Sequence, residues 1–237
     1  MLKKQKELAK RVKKQDDLIT TYENAVSWYE TNKKLLANIG IAIAVVVAVG
    51  LLLGNNQRND SLKAANEFSK VFSYYDNGQY QLAISGMPEK NVRGLQAIVD
   101  DYGTWNVMRG GTTSYGNIAQ YYLANCYYNT GEIDKAMAAY EDASLDVPIL
   151  EASRIAGIAA CYEAKQNHAD AAKYFEKAGK SNANDPNTAE YLAGAARNYA
   201  QSGNKEQAIE LYKLIKKEHS SSAAARDAER YLDELRG

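Results

Sequence analysis

Four tyrosines along this chain are each followed nine residues later by an alanine: Tyr74 and Ala83, Tyr127 and Ala136, Tyr162 and Ala171, Tyr199 and Ala208. The last three tyrosines lie 35 and 37 residues apart, close to the ~34-residue period of a helix–turn–helix array. Four residues after the last three alanines comes an aromatic (Tyr140, Phe175, Tyr212), and three further on Ala143, Ala178 or Ile215. A glycine stands four residues after Tyr74, Tyr127 and Tyr199, where two helices would have to turn. Small residues let paired helices approach, large aromatics fill what remains, and each hairpin buries its face on the next. The pattern therefore predicts an all-α solenoid, an architecture that builds surface for other proteins rather than a catalytic cleft.

In the clearest copy, Leu123, Ala124 and Tyr127 share one face of a first helix, Gly131 relieves the turn, and Ala136, Tyr140 and Ala143 face back from the second. Pro148 is expected to stop that second helix. These residues resemble the tetratricopeptide repeat, whose signature is a leucine and a small residue, a tyrosine, a later alanine and aromatic, and a closing proline. The opening tryptophan of that signature is replaced by Gln120, Ile155 and Leu192, and Gln166 replaces one turn glycine.

Residues 35–57 carry no charge, and Leu35 to Gly54 are apolar apart from Asn38. Twenty such residues make a helix of about 30 Å, the thickness of a bilayer's hydrocarbon core. A cleaved signal peptide fits less well, because 34 residues lead into the run and no small-x-small cleavage site follows it. Residues 1–34 hold nine Lys or Arg against five Asp or Glu, and the rest of the chain 20 against 24. Lys33 and Lys34 flank the run on one side and Arg58 on the other, so the positive-inside rule places the N-terminus in the cytoplasm and residues 58–237 outside it. In the tail, Val12, Ile19, Tyr22, Val26 and Tyr29 fall at helical spacing with Trp28 close by. An amphipathic helix on the inner leaflet, a docking helix and a plain solvated helix all fit that spacing.

Sequence punctuation suggests a basic tail (1–34), a transmembrane helix (35–54), a polar linker (55–60) and an exported repeat domain (61–237). Within the last come a divergent repeat at 61–102 broken between Ser85 and Asn91, with helix resuming at Val92, and a glycine-bearing loop at 103–116. Regular repeats follow at about 117–149, 152–181 and 187–218, then a capping helix at 220–236 whose apolar face carries Ala224, Ala228, Tyr231, Leu232 and Leu235.

The whole succession, with its Ile-Val-Asp-Asp-Tyr-Gly segment at Ile98 to Gly103, resembles the YfgM-type family in the form found in the Bacteroidetes and Chlorobi lineage. The resemblance implies a single-pass protein of the bacterial inner membrane, with its repeats in the periplasm, serving as an accessory of the Sec translocon. Sec subunits and a periplasmic chaperone or exported chains would be its partners. Trp105 to Gly111 looks like added length in a normally shorter loop, and it puts Trp105 and Met108 within a partner's reach.

The tetratricopeptide likeness also implies that first helices line a groove, with Tyr121, Asn125, Tyr128, Asn129, Glu163, Arg197 and Gln201 exposed in it as peptide-binding positions. The cationic clamp by which some such proteins hold a carboxylate has no counterpart, since Tyr121, Ser153, Gly157 and Gly194 occupy its places. His168 and His219 stand apart, no metal-ligand spacing, phosphate loop or nucleophile motif occurs, and the exported part is net acidic. No enzyme, cofactor, metal, small-molecule substrate or nucleic acid is expected. Cys126 and Cys161 hold equivalent places one repeat apart, too distant across packed helices for a disulfide, and are expected to be buried thiols. Two functional classes remain from this reading, an interaction adaptor and a structural subunit bracing another membrane complex.

Overall fold

The computed structural model describes residues 18–108, 110–182 and 184–234, together with the helical backbone of 2–17 and 235–236. Val12 and Leu235 of the expected apolar faces lie outside the described side chains. The chain divides into two units, residues 1–54 and 55–237. The first is helical from Leu2, and most of its described apolar side chains, such as Val46 and Leu51, are exposed.

Helix α1 runs Leu2–Asp76. Residues 55–60, expected as a linker, are helical: they include no proline or glycine to break the ladder. In the second unit, the end of α1 buries Ala64 and Val71 and packs Phe68 against the same core. Next come α2 (Tyr80–Ser85), strands β1 (Gly86–Met87) and β2 (Val92–Arg93), α3 (Leu95–Ile98) and a wide helical turn at Val99–Gly103. The break at 85–91 is thus a small antiparallel hairpin pairing Gly86 with Arg93 and Met87 with Val92. Helix resumes at Leu95 rather than Val92, because Val92 and Arg93 are taken into that pairing. The Arg93 guanidinium ties the hairpin to its surroundings through Glu67 (3.0 Å) and Asp101 (2.6 Å).

Three helix pairs follow: α4 (Ser114–Asn129) with α5 (Ile133–Asp142), α6 (Pro148–Ala164) with α7 (His168–Ser181), and α8 (Thr188–Gln201) with α9 (Lys205–Glu218). Helix α10 (Ala223–Arg236) closes the array, burying Ala224, Ala228 and Leu232. Two expected boundaries move. Gly116 belongs to α4, whose N-cap Thr113 accepts from its N–H at 3.0 Å, so the loop ends at Thr113. Pro148 opens α6 instead of closing α5, which already ends at Asp142. A first-turn proline loses no helical hydrogen bond, since that N–H would have no partner in the helix.

Each tyrosine–alanine pair marks the same turn. The Tyr127 carbonyl accepts from Glu132 N–H at 2.8 Å, and the Tyr128 carbonyl from Gly131 N–H at 3.1 Å. That closure requires a left-handed residue at Gly131, where φ is +83°. The carbonyls of Tyr74, Tyr162 and Tyr199 accept equivalent bonds from Gln79, Asn167 and Asn204. Gln166, without a glycine's freedom, adopts φ +59° to close its turn. The donor in each case is also the N-cap of the next helix, which places the alanine one turn in, with Ala83, Ala136, Ala171 and Ala208 all fully buried.

Successive pairs lock through aromatics laid on glycines. A Cβ added at Gly157 would lie 2.4 Å from the Tyr140 ring, and one at Gly194 3.1 Å from the Phe175 ring. Tyr140 is buried and donates its hydroxyl proton to Asn125 Oδ1, so its ring has no room to retreat. Cys126 and Cys161 are free, buried thiols, and burial pushes them up to about 12 and about 11.

Gly157→Ala should therefore destabilise the chain by about 1–3 kcal/mol through overpacking, whereas Gly131→Ala, strained only in its backbone, should cost about 1 kcal/mol. Urea unfolding followed by circular dichroism ranks the two. Equal stability of Gly157→Ala and the parent chain would contradict the ring-on-glycine lock.

Candidate protein-binding groove

The first helices of the three regular pairs, α4, α6 and α8, carry the predicted groove positions, and the structure treats them unequally. Tyr121 is half-buried, its ring centroid 5.1 Å from that of Tyr122 and 6.1 Å from that of Tyr140. Tyr128 is also half-buried, packed on the cluster that holds Ala136, Tyr140 and Cys161. Both were expected to stand exposed, but the following helices close over their rings. Burial raises the phenols of Tyr128 and Tyr140, so both stay neutral at ordinary pH. Asn125 is engaged as well, through the Tyr140 hydroxyl. Asn129 is exposed, its side-chain amide donating to the Asn125 carbonyl at 2.8 Å.

Glu163 and Arg197 are brought together from neighbouring repeats. The guanidinium donates to both carboxylate oxygens, at 2.9 Å to Oε1 and 3.3 Å to Oε2. Two residues outside the predicted groove set, Asn198 and His168, complete the group. Buried Asn198 donates to Glu163 Oε1 and to the Gly194 carbonyl, 2.9 Å each, and His168 Nδ1 lies 2.8 Å from Asn198 Oδ1. The signal was available as spacing: Glu163 and Asn198 are 35 residues apart, one repeat. Gln201 is exposed and joins Arg197, Ala200, Tyr212, Tyr231 and Glu234 around a cleft of roughly 330 Å³ at the capping-helix end.

The four clamp positions offer no cation. The rings of Tyr140 and Phe175 cover Gly157 and Gly194, Ser153 Oγ lies 3.0 Å from the Tyr191 hydroxyl, and Tyr121 is packed. Among the described residues no cluster of three or more His, Cys, Asp or Glu could hold a metal ion. Trp105 and Met108 are exposed on the loop between the wide turn and α4.

The tetratricopeptide repeat family matches residues 118–145, the α4–α5 pair and its immediate continuation. Crystal structures of nearly identical TPR-like repeats from a kinesin light chain of Podosopora anserina are similar at a TM-score of 0.51, with 18% identity over 74% of this chain and 86% of that one. A single-substitution variant of those repeats gives the same TM-score at 19% identity, over 74% and 85%. At that identity the likeness speaks for the fold alone. No curated protein matches the chain. The α4–α5 pair thus matches the tetratricopeptide repeat, and the likeness to the solved structures is one of fold.

Asn198→Ala is expected to cost about 1–3 kcal/mol, because it strips partners from His168, Glu163 and a buried carbonyl at once. Arg197→Met should cost only about 0.2–1 kcal/mol, being a partly exposed ion pair whose contribution shrinks with salt. Urea melts at low and high ionic strength separate the two. A larger penalty for Arg197→Met would mean that the ion pair, not the buried amide, holds the repeats in register.

Proposed function

We propose that this chain is a single-pass, membrane-anchored scaffold that presents its tetratricopeptide array on the far side of a bacterial inner membrane. The observation that carries the reading is the direct succession of two elements. One helix, alone among the described residues, is long and apolar enough to span a membrane, and an interaction solenoid follows it in the chain. The charge bias around residues 35–54 supports a cytoplasmic N-terminus and periplasmic repeats. The YfgM-type resemblance supports placement beside the Sec translocon, with a periplasmic chaperone or an exported chain as the second partner. In this reading the groove works through its exposed rim, Asn129 and Gln201, with the inter-repeat pair Glu163–Arg197 between them in sequence.

One observation favours the alternative of a structural subunit bracing a membrane complex. The groove tyrosines are engaged in packing, and Glu163 and Arg197 satisfy each other, so little of the predicted groove is left free for a peptide.

Topology is tested by thiol labelling in spheroplasts. Lys6→Cys should resist a membrane-impermeant reagent and Lys205→Cys should react, with Cys126 and Cys161 silent because they are buried. The reverse pattern would remove the periplasmic reading. Partner choice is tested by affinity capture in mild detergent, followed by mass spectrometry. Asn129→Arg combined with Gln201→Arg should lose captured Sec subunits while leaving helix content unchanged. Capture undiminished by that variant, or capture of a different membrane complex, would favour the brace.

A further inference from the structure

Beyond Leu62, the most exposed large apolar side chains among the described residues gather in one place: Trp105, Val107 and Met108, each 66–68% exposed. They match the exposure of Leu51 and Leu52 on the apolar run, at 71% and 65%. The loop carrying them has a defined shape. Asn106 and Gly111 exchange two backbone hydrogen bonds at 3.2 Å, Gly110 N–H donates to the Val107 carbonyl at 3.3 Å, and Met108 N–H donates to Asn106 Oδ1 at 2.9 Å. Its exit is held by Thr113, whose hydroxyl donates to the Tyr102 carbonyl at 3.1 Å, and by Asn117, which donates to Thr112 Oγ1 at 3.0 Å.

Two further bonds tie the loop to α1. Asn56 Nδ2 donates to the Met108 carbonyl and Gln57 Nε2 to the Thr112 carbonyl, both at 3.1 Å. Asn56 follows Gly54, the last residue of the apolar run, by two positions, which is about 3 Å of helix rise. The headgroup layer on each side of the hydrocarbon core is about 5–8 Å deep. The loop's two attachment points, Asn56 and Gln57, therefore fall within one helical turn, along the chain, of the end of the apolar run.

We propose that the Trp105–Met108 tip is a membrane-interface anchor, seating its tryptophan, valine and methionine among the lipid headgroups of the leaflet from which the transmembrane helix emerges. The inference rests on the membrane-anchor reading above. Lipid suits the chemistry of the tip: tryptophan favours the headgroup region, and residues 103–117 contain no acidic side chain and one arginine. Protein scaffolds rarely leave such a patch uncovered, and here the covering surface is supplied by the chain's own attachment to the bilayer. The first repeat is then held at the membrane by two points, which restricts swinging of the array about a single helix.

Trp28 and Trp105 are the two tryptophans of the chain, so Trp28→Phe leaves Trp105 as sole reporter. The full-length variant is reconstituted in phosphatidylcholine–phosphatidylglycerol vesicles, with and without lipids brominated near the top of the acyl chains. The control combines Trp28→Phe, Trp105→Phe and Lys205→Trp, and alkaline carbonate extraction reports on the anchor in every sample. Trp105 emission should shift to the blue and lose most of its intensity in brominated vesicles, while the Lys205→Trp control stays unquenched. A chain that resists extraction yet shows unquenched Trp105 overturns the interface proposal and leaves the anchor standing. A blue shift without quenching overturns it too, assigning the tip to a protein surface. A chain released by carbonate removes the anchor reading and, with it, this proposal.

Discussion

The repeat domain depends on a turn made by the backbone of one residue. In each of the four hairpins, the carbonyl of a tyrosine near the end of the first helix accepts a hydrogen bond from the residue five positions on, across a left-handed residue. The donor of that bond then caps the second helix, so one set of hydrogen bonds ends one helix and starts the other. An alanine four positions further falls one turn into the second helix, where the returning backbone leaves room for little more than a methyl group. The left-handed geometry costs about 1 kcal/mol for residues with a side chain, which is why three of the four turns use glycine and the fourth bends Gln166 into the same conformation.

Stacking of the hairpins needs a second kind of contact. Tyr140 and Phe175 point out of one pair onto a glycine of the next, and a methyl group at either glycine would meet an aromatic ring. Polar groups reinforce the same junctions: Glu163 reaches Arg197 and Asn198 one repeat on, and His168 reaches Asn198 from the other side. Each contact joins neighbours only, as expected of a quasi-one-dimensional array. Tyr212, at the place equivalent to Tyr140 and Phe175, stacks its ring on Tyr231 of α10, centroids 5.1 Å apart.

These contacts set the functional possibilities. Side chains that align into a groove in sequence are largely consumed in holding the repeats together, while Asn129, Gln201 and the ion-paired Arg197 keep exposed surface, the last two beside Tyr231 in the cleft. Beyond Leu62, apolar exposure is concentrated instead on the Trp105 loop, which is hydrogen-bonded to Asn56 and Gln57 of α1.

The sequence by itself determined the repeat register, because the tyrosine, turn residue, alanine and aromatic are each demanded locally by a hydrogen bond or a close approach. It also determined the all-helical class, the uncharged run at 35–54 and the break at 85–91. Tertiary structure alone decided which faces are spent. Tyr121 and Tyr128 sit at groove positions by spacing, yet spacing within one helix does not say how far the next helix leans over a ring. Glu163 and Asn198 meet only because neighbouring first helices stack in register. Pro148 is read as a stop or as a start according to where α5 has already ended. The linker vanished for a related reason: polarity at 55–60 resembles a loop, but asparagine and glutamine continue a helix when nothing breaks it, and here Asn56 and Gln57 donate to the carbonyls of a loop roughly 50 residues away.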